Sequence, residues 1–122
     1  GIGTDIVSVD RIKKTLKNKK FLNRLFSKEE ILKCNKLINF NNCYAKRFAA
    51  KEAFSKALGT GISNGINFNE IIVQNEKNGK PFIILKGKTM QIIKKKFKKK
   101  PKIALSLSDE NKYAVAFVTI SL

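Results

Sequence analysis

The chain has 122 residues, 43% of them hydrophobic, so it is long enough to enclose one hydrophobic core. Its formal charge of +17 favours anionic partners, and its lack of histidine excludes catalytic triads and dyads that use an imidazole. No apolar run approaches the roughly 20 residues that span a bilayer, and no signal peptide is evident. The sequence therefore predicts a single domain over residues 1–122, whose chemistry uses carboxylates, lysines, backbone amides or a bound ion.

The first half of the chain predicts one strand and three helices. The opening GIGTDIVSV is rich in β-forming residues, and DRIKKTLKN predicts a basic helix with Asp10 as its N-cap. Ser27 and Glu30 have the spacing of a capping box, which predicts the start of a second helix. The third helix includes RFAAKEAFSKAL, where alanine recurs at every fourth position, and Gly59 and Gly61 predict its end.

The second half of the chain predicts two hairpins separated by a helix. EIIVQ and PFIILK read as strands joined by the turn KNGK, and KIALSLS and YAVAFVTISL form a second pair. Between them, GKTMQIIKKKFKKK places Met90, Ile93 and Phe97 on one face of a helix. We therefore expect an α+β fold, with helices mostly in the first half and an antiparallel sheet in the second.

The positive charge has two interpretations. Lysine supplies 23 of the 26 basic residues, and Lys, Asn and Ile share AT-rich codons, so genome composition explains part of the charge. The lysine-rich segment 94–102 keeps a nucleic-acid-binding module as an alternative. Arginine is scarce and no motif for base recognition is present, so we predict no nucleic-acid partner and no membrane partner.

The two cysteines do not have the pattern of a metal site. Cys34 and Cys43 lack CxxC spacing, and the chain offers no histidine to complete a zinc site. Reduced, partly buried thiols are the expected state, which is typical of an intracellular compartment.

Two carboxylates lie in segments that otherwise look buried, Asp5 in the first strand and Glu52 in the long helix. Burying an unpaired charge is costly. One interpretation pairs Glu52 with Lys56 as an i,i+4 salt bridge. The other brings Asp5 and Glu52 together as ligands of Mg²⁺, which is typically held by one or two carboxylates together with water and substrate phosphates. Residues 59–61 also offer backbone N–H groups that could cradle phosphate, although a helix cap explains Gly59 equally well.

Four segments resemble the acyl-carrier-protein synthase family, the short phosphopantetheinyl transferases. They are GIGTDIVSVDRI, RFAAKEAFSKALGTGI, NGKPFI and LSLSDENKYAVAFV, and together they cover nearly the whole chain in order. The resemblance implies the 4′-phosphopantetheinyl transferase fold, with an antiparallel sheet packed against the long helix. It also implies a homotrimer that binds coenzyme A between neighbouring subunits.

The resemblance further implies a reaction, usually within fatty-acid biosynthesis. The 4′-phosphopantetheine arm of coenzyme A is transferred to a serine of an acidic apo acyl carrier protein. The serine hydroxyl attacks the β-phosphorus and adenosine 3′,5′-bisphosphate leaves, so catalysis is mainly positioning and charge neutralisation. Asp5 and Glu52 match the carboxylates that hold the family's Mg²⁺, and Lys56 matches the lysine that faces the pyrophosphate. These three are the implied catalytic residues.

Further residues match the family's binding positions. Those expected around coenzyme A are Arg47, Lys56, Gly59, Gly61, Pro81, Ser108 and Asp109, with Pro81 beside the adenine. Those expected to dock the carrier protein are Arg11, Lys20 and Arg24. Asp109 stands where the family has histidine. An aspartate cannot replace an imidazole and would repel a nearby phosphate, so its role stays open.

The abundance of residues with AT-rich codons also suggests a cellular compartment. It fits the cytoplasm of a low-GC bacterium, or alternatively a plastid-type organelle of a eukaryote with an AT-rich genome. In the second case a transit peptide would precede Gly1 in the precursor.

Overall fold

The computed structural model describes residues 1–59 and 65–122, and the predicted Gly61 lies outside them. The strands are β1 (Ile2–Ser8), β2 (Ile71–Asn75), β3 (Pro81–Leu85), β4 (Lys102–Asp109) and β5 (Tyr113–Ser121). The helices are α1 (Val9–Thr15), α2 (Lys19–Leu25), α3 (Lys28–Asn35), α4 (Phe40–Leu58) and α5 (Gly87–Phe97), and a 3₁₀ turn spans Phe68–Glu70. The α+β class predicted from the sequence is confirmed.

The strands form two antiparallel sheets. One has three strands in the order β1-β5-β4, and the other is the β2-β3 hairpin. Both predicted hairpins are therefore present, but the N-terminal strand joins the C-terminal pair, with Asp5 opposite Ala116. The sheet is not confined to the second half of the chain as predicted, because this pairing joins residues more than 100 positions apart, which local patterns do not report.

Helix α4 packs against one face of the three-stranded sheet. Alanines 45, 49, 53 and 57 of the helix are buried, as the predicted stripe requires. The sheet face that contacts these alanines carries Gly3 and the small or β-branched side chains Ala114, Ala116 and Val118. A Cβ at Gly3 would overlap the carbonyl of Ala53. Small residues on both surfaces thus allow the helix backbone to approach β1 closely.

The start of α1 differs from the prediction, and α2 was missed. Ser8 is the N-cap of α1, where its side chain accepts a hydrogen bond from the Arg11 N–H, so Asp10 lies inside the first turn. There the carboxylate complements the positive end of the helix dipole. The separate helix α2 begins after Asn18, whose side chain caps it by accepting from the Lys20 N–H.

Other predicted helix boundaries are confirmed. Ser27 and Glu30 form the complete capping box of α3, and Gly59 ends α4 with a φ of 77°, a conformation that favours glycine. In α5, Ile93 is buried in the core, and Met90 and Phe97, predicted to share its face, are partly buried. Within residues 1–59 and 65–122, no helix is long and apolar enough to cross a membrane.

The cysteines form a disulfide, and the expectation of reduced thiols is wrong for this structure. Cys34 near the end of α3 and Cys43 in α4 are joined with their Cα atoms 5.5 Å apart. Both side chains are buried, as expected. The chain turns back on itself between the two helices, and this tertiary arrangement, rather than any spacing motif, brings the sulfur atoms together.

Candidate active site

Asp5 lies in the middle of β1, on the face of the strand that also carries Gly3 and Val7. Side chains alternate along a strand, so this is the face that packs against α4. The carboxylate accepts a hydrogen bond from Lys56 of α4 through Oδ1, at 3.0 Å. The absence of a Cβ at Gly3 brings α4 near enough for this contact between helix and strand.

Lys56 bridges the helix and the strand instead of pairing along the helix. Besides Asp5, its Nζ donates to the carbonyl oxygen of Thr4 at 3.0 Å. No ion pair between Lys56 and Glu52 is present among residues 1–59 and 65–122. The i,i+4 salt bridge considered from the sequence is therefore wrong for the described structure.

The half-buried carboxyl group of Glu52 is close enough to Asp5 for the two charges to interact. Burial raises the pKa of Glu52, the negative charge of Asp5 raises it further, and Lys56 opposes both effects. Two acidic groups that repel each other at the edge of a core are unfavourable without a cation to share. The structure thus brings together the three residues implied as catalytic.

These residues suit an open Mg²⁺ site and not a closed protein cage. Within the described part of the chain, no group of three or more acidic, cysteine or histidine side chains surrounds a common point. Mg²⁺ commonly uses one or two carboxylates and completes its octahedron with waters and substrate phosphates. Asp5 and Glu52, with their mutual repulsion, provide that donor set.

The carboxylates open onto a cleft of about 720 Å³ between β1, α1, α2 and α4. Asp5, Glu52 and Phe48 line one wall, and Arg11 and Lys14 bring positive charge to the opposite wall. Lys20 and Arg24 are exposed on α2 and do not line this cleft, but each directly precedes a residue that does, Phe21 and Leu25. The three residues expected to dock the carrier protein therefore lie on the two helices that border the carboxylates.

Arg47 lies in a second, smaller cleft. Its guanidinium is buried and donates from Nη2 to Asn75 Oδ1 at 3.1 Å and from Nη1 to Cys43 Sγ at 3.1 Å. Burial lowers its pKa from the usual value. Its Nε has no hydrogen-bond partner among the described residues. The cleft, of about 330 Å³, is also lined by Lys33, Lys46 and Lys77 and suits an anion.

Asp109 contacts the rim of this second cleft. Its Oδ2 accepts from Asn42 Nδ2 at 2.9 Å, and its Oδ1 lies 3.5 Å from Lys46 Nζ. The aspartate at the family's histidine position therefore neutralises part of the charge of a lysine that lines the cleft. Ser108 is exposed on the other face of β4, because neighbouring residues of a strand point to opposite sides.

Two further predicted positions are explained by local structure. Pro81 begins β3 opposite Asn75, which places it beside the Arg47 cleft. Gly59 caps α4, and its N–H donates to the Lys56 carbonyl at 3.0 Å. Gly61 lies outside the described residues.

Within one chain the candidate residues form two separate groups. Glu52 and Arg47 are five positions apart on α4, or about 140° around the axis at roughly 100° per residue. The carboxylates and Lys56 face β1, whereas Arg47 faces β2 and α3. Glu52 lines the 720 Å³ cleft and Arg47 does not, whereas Arg47 lines the 330 Å³ cleft and Glu52 does not.

Several residues around the second cleft were not predicted from the sequence. Asn75 links Arg47 and Lys33, and Asn42 and Lys46 hold Asp109. Asparagine is abundant in this chain and has no distinctive spacing, so only the pairing of distant elements identifies these residues. The burial of Lys51 was also not predicted. Seven residues make about two helical turns, so the spacing of Lys51 from the apolar Tyr44 and Leu58 places all three on one face of α4, which is buried.

Comparisons with known proteins agree with this geometry. Residues 1–118 match the 4′-phosphopantetheinyl transferase superfamily. A holo-[acyl-carrier-protein] synthase of Pelagibacter ubique is 51% identical, over 98% of this chain and 94% of that protein. The crystal structure of the Neisseria meningitidis synthase superposes with a TM-score of 0.88 at 38% identity, covering 100% of this chain and 98% of that one. The structure of the Helicobacter pylori synthase, solved with coenzyme A, superposes with a TM-score of 0.82 at 34% identity, covering 99% of this chain and 100% of that one.

The match spans almost the full length of this chain and of its relatives, in sequence and in fold alike. The chain therefore belongs to the 4′-phosphopantetheinyl transferase superfamily, in the family of the holo-[acyl-carrier-protein] synthases.

Proposed function

We propose that this protein transfers the 4′-phosphopantetheine arm of coenzyme A to a serine of apo acyl carrier protein, with Mg²⁺, for fatty-acid biosynthesis. The observation that carries the proposal is that Asp5 and Glu52 line one cleft and Lys56 pairs with Asp5, in a chain of this family. The names of the relatives and the coenzyme A bound to the Helicobacter pylori synthase support the same substrates.

The reaction forms a bond between the serine oxygen and the β-phosphorus and breaks the bond to the oxygen of the leaving adenosine 3′,5′-bisphosphate. Asp5 and Glu52 would hold Mg²⁺, which supplies neutralisation of phosphate charge. Lys56 places an ammonium group beside Asp5, where it can face the pyrophosphate. The serine hydroxyl loses its proton in this step, and the Glu52 carboxylate, which lines the same cleft, is the proposed acceptor.

The nucleotide end of coenzyme A fits the second cleft. Arg47 and Lys46 offer positive charge for its phosphates, and Pro81 offers an apolar surface for the adenine. Because this cleft and the carboxylates lie on different sides of α4, we propose that a complete site combines the carboxylates of one subunit with the nucleotide cleft of its neighbour.

A trimer would also cover an apolar surface. The face of the three-stranded sheet opposite α4 carries Ile2, Ile6, Val115 and Phe117, with 69% of Ile2 and 44% of Phe117 exposed. Adjacent apolar side chains on a sheet face are typical of an interface. We propose that this face packs against the other subunits of a homotrimer.

The carrier protein is proposed to approach over α1 and α2. Arg11 lines the carboxylate cleft, and Lys20 and Arg24 are exposed on α2, which borders it. Their positive charge would attract an acidic partner and guide its approach. The bacterial origin of the curated relatives favours the bacterial cytoplasm as the proposed compartment. A plastid-type organelle stays the alternative, since synthase structures from a eukaryotic parasite also match this chain. One domain over residues 1–122 is proposed, because the buried side chains form one cluster from Val7 to Ile120.

Mass spectrometry of the carrier protein tests the function. The protein is incubated with coenzyme A, Mg²⁺ and an apo acyl carrier protein, and the mass of the carrier is followed. We expect the carrier to gain one phosphopantetheine arm, with no gain when Mg²⁺ is removed by a chelator. No gain, together with tight binding to duplex DNA, would instead support the nucleic-acid-binding alternative.

A further inference from the structure

A buried ion pair lies on the side of α4 that faces away from the carboxylate cleft. Lys51 of α4 and Glu30 of α3 are 0% and 1% exposed, and Lys51 Nζ lies 2.8 Å from Glu30 Oε1. Lys51 directly precedes Glu52 in the chain, but the two side chains point to different sides of the helix. The mechanism proposed above uses neither Lys51 nor Glu30.

Both charged groups are fully hydrogen-bonded. Lys51 donates to Glu30, to the carbonyl of Phe68 at 2.7 Å and to the carbonyl of Ile71. Glu30 accepts from the Ser27 N–H through Oε1 at 2.9 Å and from the Val73 N–H through Oε2 at 3.1 Å. An ammonium group has three protons to donate, so Lys51 is fully satisfied by three different elements.

These bonds connect the two groups of candidate site residues. Lys51 ties α4, which carries Glu52 and Arg47, to the start of β2 at Ile71. Glu30 holds Val73, two residues before Asn75 on the same strand. Asn75 in turn accepts the hydrogen bond from Arg47. The ion pair therefore lies between the carboxylate side of α4 and the strand that supports the nucleotide cleft.

Stability alone is a poor explanation for such a pair. Removing two charges from water is costly, and replacing a buried ion pair by apolar residues of similar volume is often neutral or stabilising. Apolar contacts, however, are non-directional. Four hydrogen bonds of defined direction restrict the rotation of α4 and the position of β2 in a way that apolar packing does not.

We propose that Lys51 and Glu30 are positioning residues, which fix the rotation of α4 relative to β2 and so hold the Asp5–Glu52 carboxylates and the Arg47 cleft in their working arrangement. This inference rests on the proposed transferase function. Neither residue contacts substrate, and both act through Glu52, Arg47 and Asn75.

The test replaces the pair as a unit. Either single change would leave a buried charge unpaired, so Lys51→Met with Glu30→Leu removes both charges at similar volume. The matched control is Lys86→Met with Glu29→Leu, an exposed pair at 3.2 Å next to Glu30 in the chain. Thermal unfolding and light scattering report fold and assembly. Binding of Mn²⁺ by electron paramagnetic resonance and of adenosine 3′,5′-bisphosphate by calorimetry reports the site without turnover.

We expect the double variant to fold and assemble like the wild type, but to bind Mn²⁺ or the nucleotide at least tenfold more weakly and to lose at least tenfold in kcat. The control pair should stay within twofold on every measure. Wild-type affinities and kcat in the folded double variant would overturn the inference, because the pair would then only fill the core.

A second variant decides the matter if the double variant does not fold. Glu30→Asp keeps both charges but shortens the acceptor by one methylene, and it should weaken Mn²⁺ and nucleotide binding several-fold in a folded protein. Unchanged affinities would count against the positioning role. A wild-type protein that binds both ligands without modifying the carrier would contradict the proposed function. In that case the affinities of the variants for Mn²⁺ and for the nucleotide would still test the positioning role.

Discussion

Lys56 Nζ lies 3.0 Å from Asp5 Oδ1, so the lysine joins α4 to β1 across 51 positions of the chain. The sequence offered a nearer partner, Glu52, one turn away on the same helix. Because Lys56 pairs with Asp5, the two candidate metal ligands have different surroundings. Asp5 is paired with a cation, while Glu52 has its pKa raised by burial and by Asp5.

Lys56→Gln should therefore have opposite effects on turnover and on metal binding. Loss of the ammonium group that is proposed to face the pyrophosphate should lower kcat on the order of 100-fold. Asp5, freed from its competitor, should bind Mn²⁺ more tightly. Steady-state transfer and paramagnetic resonance measure the two effects, with Lys95→Gln on the exposed side of α5 as the control. An unchanged kcat would remove Lys56 from the mechanism.

Asp5→Ala and Glu52→Ala should each nearly abolish transfer while the protein stays folded and keeps the wild-type assembly state. The reason is that each variant leaves one carboxylate where Mg²⁺ is expected to use two. Transfer is measured across a Mg²⁺ titration, and circular dichroism checks the fold. If both variants transfer at near-normal rates at ordinary Mg²⁺ concentrations, the metal assignment is wrong.

Reversing the charge of Arg11 and Arg24 should raise KM for the carrier protein and weaken its salt dependence, since both are exposed on the two helices proposed for docking. Affinity for coenzyme A should change little. Because Arg11 lines the carboxylate cleft, Lys20→Glu with Arg24→Glu provides a second pair outside it. The matched control is Lys95→Glu, in α5, combined with Lys99→Glu, just after it. Equal losses for carrier and coenzyme A would show that the fold is disturbed instead.

Asp109→His should tighten binding of coenzyme A. The change removes a negative charge from the rim of the nucleotide cleft and frees Lys46, which Asp109 now holds at 3.5 Å. Turnover should stay within about tenfold, a barrier change of roughly 1.4 kcal/mol. Kinetics of the His and Asn variants separate the alternatives, because a large loss of turnover in both would identify Asp109 as a proton acceptor.

Reducing the Cys34–Cys43 disulfide should destabilise the protein. The disulfide closes a loop with a sequence separation of 9. On the chain-entropy relation, such a loop adds about 2.5 kcal/mol to the free energy of unfolding. In a domain of this size that corresponds to a fall in Tm of about 10 °C. Unfolding with and without a phosphine reductant measures the change, and Cys34→Ser with Cys43→Ser is the control that should not respond. A Tm unaffected by the reductant in the wild type would contradict the prediction.

The local patterns of the sequence determined the element types and many of the boundaries. The alanine stripe of α4, the capping box at Ser27 and Glu30, and the glycine at position 59 act within a few residues of each other. The resemblance of four segments determined the family and assigned Asp5, Glu52 and Lys56 to one site, and the structure brings them together. Short-range spacing is sufficient for these conclusions, because the backbone geometry of a helix or strand fixes which neighbours meet.

Only the tertiary structure decided which charges pair. Lys56 reaches Asp5, Lys51 reaches Glu30 across 21 positions, and Asp109 meets Asn42 across 67. Lys51 and Glu30 pair because both are fully buried and an unpaired buried charge is costly. Lys56 and Asp109 are nearer the surface, and each pairs with the groups that the packed elements bring within its reach. The approach of α4 to β1, the return of α3 toward α4 at the disulfide, and the joining of the first strand to the last two determine which groups meet. None of these contacts has a period along the chain, so they follow from packing and not from pattern.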